Sequence, residues 1–210
     1  MPQESTNEDA KKYANCMERV RGHIRTIEAV FSGKIRTGHQ DLNAELIFLH
    51  FRKALEEIAF SSLCANVEKY SEVQTRYAQF WQAKNLLKEI GLMNPDFYPV
   101  PMRSATIPLP NSDMVTHHFE PVDSGFLTKE EFDFLYSQSS EVLHAHNPYR
   151  TGDSTINVRH TVPEWINRFQ NLLRLHHIKL VDHEEIWLVI VPNEGLVQVN
   201  VSRLLEPENV

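Results

Sequence analysis

The chain has few cysteines, few glycines and no long apolar run, and each scarcity argues against a class of protein. It has two cysteines in 210 residues, Cys16 and Cys64, and neither shows the paired spacing of a zinc or redox motif. Its seven glycines form no GxGxxG or Walker pattern, so those phosphate-binding loops are excluded. No apolar run approaches the ~18 residues of a membrane span. We expect buried free thiols and no membrane-spanning segment.

Positive charge is also in short supply. The chain has 28 acidic and 21 basic residues, which gives a formal net charge of −7. This balance favours solubility and argues against broad, sequence-independent phosphate binding, although a local basic patch stays open. The first nine residues are polar and acidic, unlike a signal or transit peptide. We therefore expect a cytoplasmic protein, and no motif indicates a cofactor.

Helical periodicity dominates the first 92 residues. A first helix is predicted to begin at Thr6 or Asn7 and to end before Gly33, with a second at 41–67 and a third at 71–91. The first helix has a seam of apolar residues at alternating four- and three-residue steps, namely Tyr13, Met17, Val20, Ile24, Ile27 and Phe31. The second helix is apolar on most sides, which is typical of a central helix. These patterns predict an antiparallel three-helix bundle.

Prolines and aromatic residues set the next segment, 93–114, apart from the helices. Five prolines between residues 92 and 112 exclude a helix. Phe97 and Tyr98 carry too much apolar area for a solvated linker. We expect an ordered, extended arm over 95–110 that packs both rings against the helices.

The remaining residues, 115–210, combine helices and strands. A strand is predicted at 115–121, and capping boxes at Thr128 with Glu131 and at Thr161 with Glu164 predict the starts of two helices. Strands follow at 178–181, 185–191 and 196–205, the last two joined as a hairpin by the turn at 192–195. The fold class is thus α+β, with a helical bundle, a proline-rich arm, and two helices on a small antiparallel sheet.

Four segments carry a resemblance to a protein family. Residues 51–59 read FRKALEEIA, residues 81–84 read WQAK, residues 94–99 read NPDFYP, and residues 171–180 read NLLRLHHIKL. Over about residues 46–204, the chain resembles a family of uncharacterised bacterial proteins. The resemblance implies a bacterial origin; it implies no known activity and supplies no catalytic residues.

Charged residues on the second helix form the first candidate site. Arg52 and Glu56 stand one helical turn apart and can pair, and Glu57 lies beside them. Because charges on a mostly apolar helix need partners, two interpretations stay open. One is a partly buried ion pair that fixes helix register, and the other is a polar pocket between the bundle and the arm.

A basic strip on the first helix forms the second candidate site. Arg19, Arg21 and Arg25 are candidates for nucleic-acid contact, although Glu18 and Glu28 dilute the positive charge. A clustered patch is the usual requirement for such contact.

A bundle of this kind resembles, in class only, the HEPN group of bacterial ribonucleases. Their motif has four to six residues between an arginine and a histidine, which supply a cation for the phosphate and a general acid or base. The candidate pairs here are Arg19 with His23, Arg36 with His39, and Arg168 with His176. None has the required spacing, and the catalytic groups would be misplaced.

Histidines are concentrated late in the chain. Eight of the eleven follow residue 115, namely His117, His118, His144, His146, His160, His176, His177 and His183. Histidine clusters can bind zinc, but no HExxH accompanies them. Cationic imidazoles suit helix C-termini, and we interpret two pairs in this way, His144 with His146 and His176 with His177. We expect no stoichiometric metal.

These observations favour a non-enzymatic protein-interaction or regulatory module. The alternative is a small RNA- or DNA-cleaving defence-type effector. We expect a homodimer formed through the seam at residues 13–31, since symmetric two-fold association is the commonest way to cover such a surface. A further protein partner is compatible with the sequence.

Overall fold

The computed structural model describes residues 2–65, 88, 91–92, 94–108, 115–144, 158–180 and 185–203. Within them the fold is α+β, with four helices and a five-stranded antiparallel sheet. The helices are α1 (Pro2–Phe31), α2 (Gln40–Cys64), α3 (Lys129–Leu143) and α4 (Val162–Leu173). The strands are β1 (Val100–Pro108), β2 (Val115–Pro121), β3 (Leu175–Lys179), β4 (Glu185–Ile190) and β5 (Gln198–Arg203). Most of the predicted third helix at 71–91, and hence the three-helix bundle, lies outside the described residues.

The apolar seam of α1 is buried within the chain. Five of its six positions are 5% exposed or less, namely Tyr13, Met17, Val20, Ile24 and Ile27. The sixth, Phe31, is 56% exposed at the end of the helix. The seam packs against α2 on one side and against α4 and the sheet on the other. The expectation that this seam forms a dimer interface is therefore wrong, because the chain already covers it.

Helix α2 is the central helix of the described region, as its sequence predicts. Phe51, Leu55 and Ile58 are fully buried, and the helix packs on both α1 and α3. Helix α1 begins at Pro2, ahead of the predicted Thr6. A proline is tolerated there because the first N–H groups of a helix have no intrahelical partner.

Local capping starts both later helices where the sequence predicts. At α3, the Glu131 backbone N–H donates to Thr128 Oγ1 over 3.2 Å, and the Thr128 N–H donates to Glu131 Oε2 over the same distance. At α4, the backbone N–H of Thr161 donates to Glu164 Oε2 over 2.7 Å. These bonds satisfy N–H groups that a helix start leaves unpaired.

The sheet has the strand order β2-β1-β3-β4-β5, and every neighbouring pair is antiparallel. Residues 102–108 of β1 pair with β2, while Val100 and Pro101 pair with His177 and His176 of β3. The predicted arm is thus partly a strand inside the sheet. A proline is tolerated at the beginning of a strand, and Pro101 lies where β1 passes from one partner to the other.

Strand β3 follows α4 almost directly, and this corrects the interpretation of His176 and His177. Helix α4 ends at Leu173 and β3 begins at Leu175, so both histidines lie in a strand and not at a helix end. Burial alternates along β3, with His176 and Ile178 facing the core. His144 does follow α3 directly as its C-cap residue. His146 lies outside the described residues.

One core joins the helices to the sheet. The Tyr13 ring meets Trp187 of β4 edge-on at 5.8 Å between ring centroids, and the Phe51 and Phe169 rings stack at 5.8 Å. Phe97 and Tyr98 are 4% and 6% exposed and belong to the same core, so the predicted packing of these two rings is confirmed. Among the helices that the structure describes, none has the length and apolarity to cross a bilayer.

Candidate functional site

A cavity of about 390 Å³ lies between α1, α4 and the loop that follows β4. We call it the α1–α4 cavity. Its floor is apolar and consists of Met17, Val20, Ile24, Phe169, Leu173 and Val191. Its rim is polar and consists of Arg21, Arg25, Glu28, Gln170, Asn171, Arg174, Pro192, Asn193 and Glu194. An apolar floor with a few convergent polar groups is the usual composition of a small-molecule site.

Hydrogen bonds from α1 hold the loop that closes the cavity. Arg21 donates to the Pro192 carbonyl oxygen over 2.7 Å and pairs with Glu18 on its own helix. Arg25 donates to the Asn193 carbonyl oxygen. Glu18 in turn accepts a bond of 2.8 Å from the Val197 backbone N–H. The polar side of α1 therefore fixes the loop wall through three side chains.

The other polar side chains on the rim differ in whether they already form hydrogen bonds. Gln170 donates to Glu28 Oε1 over 3.2 Å. No residue in the described part of the chain hydrogen-bonds the side chains of Arg174 or Glu194. Arg174 is the C-cap residue of α4, where the helix dipole favours a cation. A charged ligand could therefore bind to Arg174 without displacing an existing contact.

Arg52 and Glu56, two of the predicted site residues, lie in a network between α2 and α3. Arg52 Nε donates to Glu56 Oε1 over 3.1 Å, which confirms the expected pair, and Arg52 Nη2 donates to the Tyr136 hydroxyl over 3.3 Å. The guanidinium also lies 5.1 Å from the centre of the Tyr136 ring. Burial disfavours the Arg52 charge, but the hydrogen bonds and charge interactions with Glu56 and Tyr136 together outweigh it and raise the Arg52 pKa. The network joins two helices.

Glu57, the third residue of this candidate group, faces a different helix. It accepts a bond of 2.6 Å from Arg19 Nε across the interface of α1 and α2. Each of the three arginines proposed for nucleic-acid contact thus bonds a group of its own chain: Arg19 bonds Glu57, Arg21 bonds Pro192, and Arg25 bonds Asn193. Nucleic-acid contact stays a prediction, and each arginine has a role in the fold.

The two cysteines lie together at the interface of α1 and α2. Both are free thiols, with Cys16 buried and Cys64 partly exposed. The Cys16 pKa is raised by the hydrogen bond it shares with Cys64 and by burial, whereas the same bond lowers the Cys64 pKa. Arg19 Nη2 also donates to Cys16 Sγ over 3.2 Å. Cys64 is the member of the pair that solvent reaches.

One buried histidine and two partly buried ones serve as packing and hydrogen-bonding groups. His176 is fully buried, with Nδ1 2.8 Å from the Leu173 carbonyl oxygen and Nε2 2.7 Å from the Tyr13 hydroxyl. Burial lowers the pKa of His176 to about 4. His23 and His50 meet through their Nδ1 atoms at 2.9 Å, and burial lowers both pKa values. Among the described residues, no three metal-ligating side chains converge.

The sequence predicts two residues of the α1–α4 cavity as functional, but in another role. Arg21 and Arg25 belong to the predicted basic strip, and their four-residue spacing does place them on one helix face. Their partners lie at residues 192 and 193, a separation that helical periodicity does not reveal. Arg174, which follows α4 in the chain, carried no signal.

Comparison with protein families, with curated proteins and with solved structures gave no match to this chain. The resemblance to a family of uncharacterised bacterial proteins stays a prediction, and the function has to be argued from the geometry.

Proposed function

We propose that this chain is a non-enzymatic binding and regulatory module whose ligand site is the α1–α4 cavity. The observation that carries the proposal is the cavity itself, with its volume of about 390 Å³, apolar floor and charged rim. That volume is within the range of small-molecule sites, roughly 300–1,000 Å³. The rim also retains Arg174, a cation whose side chain has no hydrogen bond to any described residue.

The construction of the walls suggests how a ligand would act on the protein. Two walls come from helices, and the third is a loop that α1 holds through Arg21 and Arg25. A ligand that contacts both α1 and the loop would stabilise the docked position of the loop. Because such a ligand binds the folded chain, stability rises by about 2.7 kcal/mol at a concentration of 100 Kd. The fraction of molecules in which this loop is docked would thus rise with the concentration of the ligand.

A fragment screen followed by amide chemical shifts tests the site. We expect shifts to concentrate at residues of the cavity walls. Gln170→Trp places a bulky ring at the cavity mouth from an exposed helix position, and it should abolish those shifts. Asn167→Trp is the matched control, since Asn167 is an exposed amide on the same helix and does not line the cavity. Fragments that bind elsewhere, or equally well to both variants, would refute the proposal.

We also propose a homodimer, formed through the end of the α1–α2 pair at which the chain connects the two helices. Three large apolar residues near this connection are exposed, Phe31 at 56%, Ile35 at 42% and Leu42 at 44%. Exposed apolar residues that lie near one another are typical of an interaction surface. A symmetric copy of the chain is the commonest partner for such a surface.

Four finer expectations from the sequence remain proposals. We propose that residues 71–91 complete a three-helix bundle, which is supported by the helical conformation at residues 88, 91 and 92. We propose a hairpin at the end of the sheet, which is supported by the direct antiparallel pairing of β4 with β5. We propose a cytoplasmic location, which is supported by the two free thiols, since a reducing compartment preserves them. We propose a bacterial origin from the resemblance alone.

A further inference from the structure

Resting on the proposed function, we infer that the α1–α4 cavity binds a small amphipathic carboxylate, with its apolar body on the floor and its carboxylate at Arg174. The first argument is how Arg174 is held. Its backbone N–H donates to the Gln170 carbonyl oxygen over 2.9 Å, and its carbonyl oxygen accepts from the Val191 N–H over 3.0 Å. The backbone of Arg174 is thus fixed between α4 and the loop, while the guanidinium is uncommitted among the described residues.

The second argument is local charge. Three arginines and two glutamates line the cavity. Two of these arginines already bond groups of the chain, one of them a carboxylate. Arg174 is the lining cation whose guanidinium has no partner among the described residues, and such a charge attracts an anion. One uncommitted guanidinium matches a monoanion such as a carboxylate. A phosphate dianion carries a second negative charge, which Glu28 and Glu194 at the same rim would repel further.

The third argument is the pairing of guanidinium with apolar surface. Arginine presents a planar set of N–H donors that matches a carboxylate in two parallel bonds. Below the rim, Ile24 and Phe169 belong to the apolar floor. A ligand that places an aliphatic or aromatic body there removes apolar area from water. The site therefore selects for both ends of an amphipathic acid.

Matched pairs of probes test the inference and separate two sources of the same chemistry. The free-acid pair is 4-phenylbutyrate and 4-phenylbutyramide, and the peptide pair is N-acetyl-Ala-Phe with a free carboxyl terminus and its amide. We expect the carboxylate of at least one pair to bind the cavity at least about tenfold more tightly than its amide. The pair with the larger ratio of amide Kd to carboxylate Kd identifies whether a free organic acid or a peptide terminus is the source.

Single substitutions then assign the carboxylate to Arg174. Arg174→Gln should remove the preference for the carboxylate, so that acid and amide bind equally. Glu194→Gln should tighten carboxylate binding about two- to threefold, because it removes a like charge from the rim. Arg103→Gln is the control, since Arg103 is exposed on β1 and is absent from the cavity lining. A carboxylate preference that persists in Arg174→Gln would overturn the inference.

The outcomes separate this inference from the proposed function. If acids and amides shift the same cavity resonances with equal affinity, the cavity is a binding site and the carboxylate assignment is wrong. If neither these probes nor the fragment screen shifts the cavity resonances, the proposed function fails as well.

Discussion

At the scale of single residues, the ion pair of Arg52 and Glu56 gives a measurable stability effect. Arg52→Ala should lower the free energy of unfolding by about 1–2 kcal/mol, because it removes the ion pair with Glu56 within α2 and the bond to Tyr136 of α3. A fully buried pair would cost about 3 kcal/mol or more. The Glu56 side chain is 25% exposed, so water can solvate the carboxylate that the substitution leaves behind. Urea unfolding measures the change, with Lys53→Ala as the exposed control on the same helix. Equal midpoints for the two variants would contradict the prediction.

A second residue-scale effect is loss of stability in acid through His176. The folded state holds the pKa of His176 at about 4, below its ordinary value of 6.5, so folding favours the neutral ring. The stability from this site is therefore complete above pH 6.5 and is lost as the pH falls toward 4. The loss should reach about 2 kcal/mol by pH 5.

Two measurements check the His176 prediction. Urea unfolding at pH 7 and pH 5 gives the total change in stability, to which the lowered pKa values of His23, His50 and His177 add in the same direction. A proton titration of the His176 ring resonances isolates the site. Titration of that ring near pH 6.5 would show that it is not held neutral by burial.

At the scale of elements, the packed start of the arm gives the next prediction. Native protein should resist proteases between Phe97 and Met102, because both rings are buried and the backbone enters β1. The Tyr98 hydroxyl also donates to the Leu127 carbonyl oxygen over 3.0 Å. Limited proteolysis followed by mass spectrometry locates the cuts, and a denatured sample supplies the control. Rapid cleavage in this stretch of the native chain would contradict the packing.

Elements with local signals could be predicted from the sequence. The capping residues Thr128 and Thr161 mark the starts of α3 and α4, because the hydrogen bonds of a capping box involve only four consecutive residues. The sequence predicts a strand at 178–181, whereas β3 lies at Leu175–Lys179. The bounds differ because pairing with β4 and β1 determines where β3 begins and ends. The sequence does not predict β1 as a strand, because the arm contains prolines and a strand inside a sheet rarely does.

At the scale of the whole molecule, the candidate site shows where sequence reasoning stops. The hydrogen bonds that join α1 to the other walls of the α1–α4 cavity connect residues more than 140 positions apart, as in the bond from Gln170 to Glu28. Periodicity identifies which face of a helix is polar, but it does not identify the segment that the face meets. The same limit explains why the predicted dimer interface is wrong: the apolar seam of α1 packs against other elements of the same chain.

The oligomeric state supplies the last prediction. Light scattering at micromolar concentration should give about 49 kDa, twice the 24.4 kDa of one chain. Replacing Phe31 and Leu42 by serine should give monomers with unchanged stability, since both side chains are exposed and contribute little to the core. Leu196→Ser is the control, because Leu196 is 81% exposed and is not one of the apolar residues near the α1–α2 connection. A mass of 24.4 kDa that does not change on dilution would exclude the dimer. A dimer that survives the double substitution would place its interface elsewhere.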